Sequence, residues 1–164
     1  MSAYLAITYP DRVEMLTDGA TLRRDGTLHS IRSEVWASKR VPLVVTGRGH
    51  YWALRIIGWW IVYMTRCGSF DQTVAGLEAM LAKHSAKGTK VHFHVECVVA
   101  GISETRRPCA FVLVTQPAHG LDALTLLPAE GAAYGGPAMS FVVAASGVTT
   151  TTLKTWPDLL WGRS

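Results

Sequence analysis

Ser2-Ala-Tyr-Leu-Ala-Ile-Thr-Tyr-Pro-Asp-Arg-Val-Glu-Met-Leu-Thr-Asp18-Gly-Ala20 is the stretch that decides the fold. Tyr4 to Tyr9 alternates and is rich in β-favouring residues, and Val13 to Thr17 does the same. Between them Pro10-Asp11-Arg12 reads as a turn, with proline presetting the backbone. The pair predicts a β-hairpin that begins just after Ser2 and ends just before Asp18.

Working outward, Asp25-Gly26 signals another turn, and Leu28 to Trp36 and Leu43 to Thr46 read as strands. Gly47-Arg-Gly49 then opens an apolar helix from about His50 to Arg66. It is apolar on most sides, as a helix between layers would be. Ser69 and Gln72 have capping-box spacing, and Phe70, Val74, Leu77 and Leu81 recur at helical spacing, predicting a second helix to about Ser85. The period then returns to two. Lys90 to Gly101, Cys109 to Thr115 and Ala123 to Leu127 read as strands, Ala133 to Pro137 as a small-residue loop, and Phe141 to Ala145 fits either helix or strand. A hairpin and strands, two helices, then antiparallel strands make an α+β chain rather than a parallel doubly wound sheet. At 164 residues it is expected to form one domain.

Composition narrows the function. Hydrophobic residues make up 49% and charged residues 17%, below the ordinary charged share of about 25%. Such a chain has more apolar surface than one small core hides, so self-association is expected. The net charge of +4 is spread over Arg23-Arg24, Lys39-Arg40 and Arg106-Arg107 rather than gathered on one face, which argues against a nucleic-acid partner. Three cysteines (Cys67, Cys97 and Cys109), with no CxxC pair, read as free thiols of a reducing, cytoplasmic compartment. The apolar run Tyr51 to Met64 is interrupted by Arg55 and falls short of the roughly 20 residues a spanning helix needs, so no membrane role is expected. No signal peptide is visible, and no cofactor motif appears.

The start of the chain carries the chemistry. An N-terminal nucleophile uses the hydroxyl of the first mature residue, with its own α-amine as general base. That amine titrates at about 7.7–8.0 and suits the task at neutral pH. Met1 precedes a small residue, the setting in which an initiator methionine is removed, so Ser2 can become the first residue.

These residues resemble the opening of proteasome β-type subunits and their bacterial and prophage relatives, the N-terminal-nucleophile (Ntn) hydrolases. The ungapped span from Ser2 to Asp18, the glycine loop Gly47-Arg-Gly49 and the element order carry the resemblance, over roughly residues 2–136. It implies an αββα four-layer sandwich, here shortened at its C-terminus. It implies Ser2 as nucleophile and base, Asp18 orienting the amine, and the backbone N–H of Gly47 stabilising the oxyanion. A peptide is the substrate class that goes with it, and homo-oligomers in rings or face-to-face layers are the expected assemblies. The apolar helix with Trp52, Trp59 and Trp60 is the candidate contact surface, and burial of these residues in the core is the competing reading.

The sequence departs from the family where its lysine belongs: that position holds Glu34. A carboxylate there opposes ionisation of the nucleophile and repels an oxyanion. The family's Ser-Gly-Ser loop is replaced by Gly135-Gly136-Pro137, and its later helices are not recognisable after Ser140. The resulting expectation is a degenerate, non-catalytic Ntn-fold protein used in assembly. An active amide-bond hydrolase built on Ser2 is the first alternative. The second is a metal-binding module. His92, His94 and Glu96 alternate, so one strand face would carry two imidazoles and a carboxylate.

Overall fold

A computed structural model describes residues 3–17, 20–23, 25, 27–118, 121–129, 131–136 and 139–143. The opening hairpin forms as its alternation predicts: β1 (Tyr4–Thr8) pairs antiparallel with β2 (Val13–Thr17), with Tyr4 opposite Thr17. A short hairpin follows, β3 (Ala20–Leu22) with β4 (Leu28–Ile31), and then β5 (Trp36–Ala37). The single strand expected over Leu28 to Trp36 is therefore two. Residues 32–35 leave the ladder, and Glu34 turns inward, 2% exposed, with its carbonyl accepting the Thr46 hydroxyl at 2.8 Å.

β6 (Leu43–Gly49) leads into α1 (Tyr51–Met64). Gly49 makes the junction possible. Its φ of +120° lies where only glycine is comfortable, and a Cβ there would meet the His94 carbonyl. A 3-10 turn, Thr65–Cys67, ends α1, and α2 (Phe70–Ala86) begins on the expected capping box of Ser69 and Gln72.

β7 (Val95–Ile102), β8 (Pro108–Val114) and β9 (Thr125–Ala129) complete a five-stranded antiparallel sheet in the order β5-β6-β7-β8-β9. β7 starts five residues later than the alternation from Lys90 predicts. The preceding segment is tied by side chains instead of the ladder: the Thr115 hydroxyl donates to the Phe93 carbonyl at 2.7 Å, and the Gln116 amide to the Val91 carbonyl at 2.8 Å.

The second sheet has the order β11-β10-β1-β2. Its β10 (Ala132–Gly136) occupies most of the span expected to be a loop, and β11 (Met139–Val143) makes a strand of Phe141 to Val143 in the run that was ambiguous, whose last two positions lie outside the described residues. Alanine and glycine have weak β propensity. What holds β10 is its neighbours: it pairs with β1 on one side and β11 on the other, and Ala133 is fully buried beneath them.

Strand alternation sorts the five-stranded sheet into two faces. Leu43, Val45, Val95, Cys97, Val99, Phe111 and Leu113 pack against Leu54, Ile61, Phe70, Leu77 and Leu81 of the helices. Val98, Ala100, Ala110, Val112 and Val114 pack against Tyr4, Ala6 and Ala133 of the second sheet. The described residues thus build three layers, a helix pair, a sheet and a sheet. Residues 144–164, which follow β11, lie outside the described ones.

Candidate functional site: the polar cluster between the sheets

The face that packs against the second sheet is apolar at its middle and polar at one end. Thr46 and Arg48 of β6 fall on it by parity with Val44, and Glu96 of β7 by parity with Val98 and Ala100. Register sets Arg48 directly opposite Glu96. Arg48 Nε donates to Glu96 Oε2 at 2.7 Å and Arg48 Nη2 to Glu96 Oε1 at 3.0 Å, a two-pronged pair in which the carboxylate is wholly buried and the arginine 8% exposed. His94 Nε2 lies 2.9 Å from Glu96 Oε1 and reaches the surface, its side chain about half exposed.

Burial alone would raise the Glu96 carboxyl. The bonds and charge of Arg48, and then those of His94, reverse that and hold it below its ordinary range. Tyr4 completes the wall from the second sheet. Burial, and secondly the Glu96 charge, push its phenol well above its usual value, so it stays neutral. Beside the cluster, Cys97 faces the helices, and burial lifts its thiol to about 12. It is a packing residue, not a nucleophile.

Gly47 sits between Thr46 and Arg48. On β6 the bonds to the β7 side fall on even positions: the Pro42 carbonyl accepts Ile102 N–H, and His50 N–H donates to the His94 carbonyl. Alternation along an antiparallel ladder then directs the backbone of Gly47 toward the β5 side. β5 begins only at Trp36, which pairs with Val45, so the ladder stops short of Gly47, and Glu34 reaches β6 by accepting the Thr46 hydroxyl on its carbonyl. A Cβ on Gly47 would collide with the Glu96 carbonyl and lie 2.7 Å from the Cys97 Cα. Glycine is needed here for the close approach of β7.

The residues singled out from sequence divide as follows. Ser2 and Asp18 lie outside the described residues. Their neighbours are described, and the Tyr4–Thr17 register places the start of β1 beside the end of β2. Glu34 is tied to β6 one residue before Gly47, its carbonyl accepting the Thr46 hydroxyl at 2.8 Å. The strand face expected to carry His92, His94 and Glu96 does not form, because β7 begins at Val95. His92 is exposed, and both oxygens of Glu96 are bonded, one to Arg48 and the other to Arg48 and His94. Among the described residues no three His, Cys, Asp or Glu side chains gather as a metal site would require.

Sequence reasoning passed over Arg48 and Tyr4. The signal for Arg48 was an arginine between two glycines at the end of an apolar strand, a place where a charge needs a buried partner. No helix among the described residues is long and apolar enough to cross a membrane. In comparisons with known proteins, no family model matches the chain and no curated protein matches it.

Proposed function

We propose that the chain is a proteasome-like Ntn-fold protein in which hydrolysis has been lost and assembly retained, working in the cytoplasm as a homo-oligomer. The observation that carries this reading is Glu34. It stands where the family's lysine belongs and is 2% exposed, with its carbonyl on the Thr46 hydroxyl of β6, so an acidic side chain, not an ammonium, is built into the interior there. An acidic side chain at that place supplies no positive charge to lower a nucleophile's pKa or to hold an oxyanion. The three-layer order of the described residues and the junction from β6 through Gly49 to α1 are compatible with an αββα sandwich.

An amide-bond hydrolase with Ser2 as nucleophile and a peptide as substrate is the second reading, and Arg48 is what favours it. A buried guanidinium follows Gly47 directly and supplies a cation on the face between the sheets, opposite Glu96 of β7. Its two-pronged bond to Glu96 consumes most of that charge, which is why assembly is preferred. Native mass spectrometry of untagged protein tests the preferred reading. A discrete oligomer with no turnover of fluorogenic peptides is expected; a monomer at every concentration, or steady peptide hydrolysis, contradicts it.

A further inference from the structure

α1 turns one face to the sheet and one to solvent, and the outward face is apolar. Trp52, Ile56, Trp59 and Tyr63 are 58, 68, 63 and 47% exposed, opposite the buried Leu54, Gly58 and Ile61. At about 100° per residue they fall within roughly 60° of one another, a single stripe along the helix. Arginines border it. Arg55 on α1 lies 5.5 Å from the centre of the Trp52 ring, and Arg66, just past the helix, lies 5.0 Å from that of Tyr63. Arg32 lies 5.3 Å from the centre of the Tyr51 ring and donates to its hydroxyl at 3.3 Å. Arg40 joins the far end by donating to the Arg66 carbonyl at 3.3 Å. All four arginines are exposed.

The chemistry of this face is one-sided. Tyr51–Met64 contains no Asp, Glu, Asn, Gln, Ser or Thr. Its polar side-chain groups are indole N–H, guanidinium and tyrosine hydroxyl, which are donors with almost no acceptor among them. Asp71 and Glu104, beside the start of α2, are engaged: Asp71 accepts the Thr105 hydroxyl at 2.6 Å, and Glu104 accepts the Phe70 and Asp71 N–H groups at 2.9 Å each. Glu78 stands farther along α2. A protein surface mixes donors with acceptors, whereas the phosphate and ester oxygens of a phospholipid layer only accept. Tryptophan and tyrosine are the side chains that settle at that depth, and long cationic side chains beside them reach the phosphates.

We infer that the outward face of α1 docks on the surface of a bilayer rich in anionic phospholipid. The helix lies in the interface plane, with Trp52, Ile56, Trp59 and Tyr63 at the boundary of the headgroups and acyl chains and the four arginines on the phosphates. A contact of this kind needs no spanning helix, so the shortness of Tyr51 to Met64, which argues against a span, does not bear on it. The inference goes beyond the assembly reading and does not depend on it. Copies bound to one bilayer are held at high effective concentration, where assembly is favoured.

Co-sedimentation of the full chain with large vesicles tests it, using phosphatidylcholine alone and an equimolar mixture with phosphatidylglycerol. The chain is expected to bind the mixed vesicles at least about tenfold more tightly than the neutral ones, and to be released as salt rises. Arg55→Gln is expected to weaken that binding about fivefold, the effect of one cation at such a surface. Arg12→Gln, on the β1–β2 turn of the other sheet, removes the same charge and is expected to leave binding unchanged. Trp52→Ser with Trp59→Ser is expected to lower binding to both vesicles by about tenfold or more. Both positions are exposed, so the fold is expected to survive, checked by circular dichroism. No binding to mixed vesicles, equal binding to neutral ones, or an equal loss with Arg12→Gln overturns the inference. So does an oligomer that the tryptophan changes dissociate without any vesicle binding, which assigns the face to a protein contact. Each of these outcomes leaves the assembly reading standing, and a chain that binds mixed vesicles but stays monomeric removes assembly alone.

Discussion

Glu96 is a carboxylate with no access to water, and it persists there because Arg48 approaches it with two donors at 2.7 and 3.0 Å. Replacing one partner leaves the other buried and uncompensated. Glu96→Ala is therefore expected to destabilise the fold by about 3–5 kcal/mol, and Arg48→Met/Glu96→Leu together by much less, as urea unfolding will read. The same residue gives the fold an acid limit. Its folded pKa lies below the ordinary carboxyl value, while in the unfolded chain it returns to that value. The unfolded state thus binds the extra proton as pH drops. The contribution of Glu96 is complete above the ordinary value near 4.5 and is lost as pH falls through the depressed one. Unfolding midpoints from pH 7 to pH 3 should show this fall, and the Glu96→Ala protein should show a shallower one. None of this was legible residue by residue. Alternation set His94 beside Glu96, and the two do meet at 2.9 Å, but Arg48, the partner that makes the burial tolerable, is 48 positions away and no local signal reaches it.

At the scale of elements, local signals served where the element is locally determined. The α2 N-terminus is an example. Ser69 Oγ accepts the Gln72 N–H, the Gln72 side chain accepts the Ser69 N–H at 3.0 Å, and the spacing that announces this is contiguous in sequence. Glu104, from the loop after β7, adds its carboxylate to the Phe70 and Asp71 N–H groups at 2.9 Å each, a long-range cap that no local pattern announces. Ser69→Ala is expected to cost about 1 kcal/mol by thermal or urea unfolding, because Glu104 does not replace the bond to Gln72 N–H. β10 fails the local test for the opposite reason. Its alanines and glycines have weak strand preference of their own, and pairing between β1 and β11 makes them a strand. The start of β7 was misplaced because Thr115 and Gln116 capture the carbonyls of Phe93 and Val91 before a ladder can.

Across the whole molecule, two buried faces of one sheet account for the layering, and both were foreshadowed by the apolar runs of β6, β7 and β8. What the periodicity of α1 did not separate was its inward from its outward face, since both are apolar. The structure divides them, with Leu54 and Ile61 inside and Trp52 and Trp59 outside. The chain therefore keeps large aromatic surface exposed while it buries an acidic residue, Glu34, against β6. The proposal of an Ntn-type fold kept for assembly is what unites those two observations. The most direct measurement of that claim is the intact mass of the protein after incubation with a hydroxyl-directed electrophile, with the same spectrum reporting whether Met1 has been removed. The account predicts a Met1-free chain with no adduct. A single stoichiometric adduct that maps to Ser2 would contradict it.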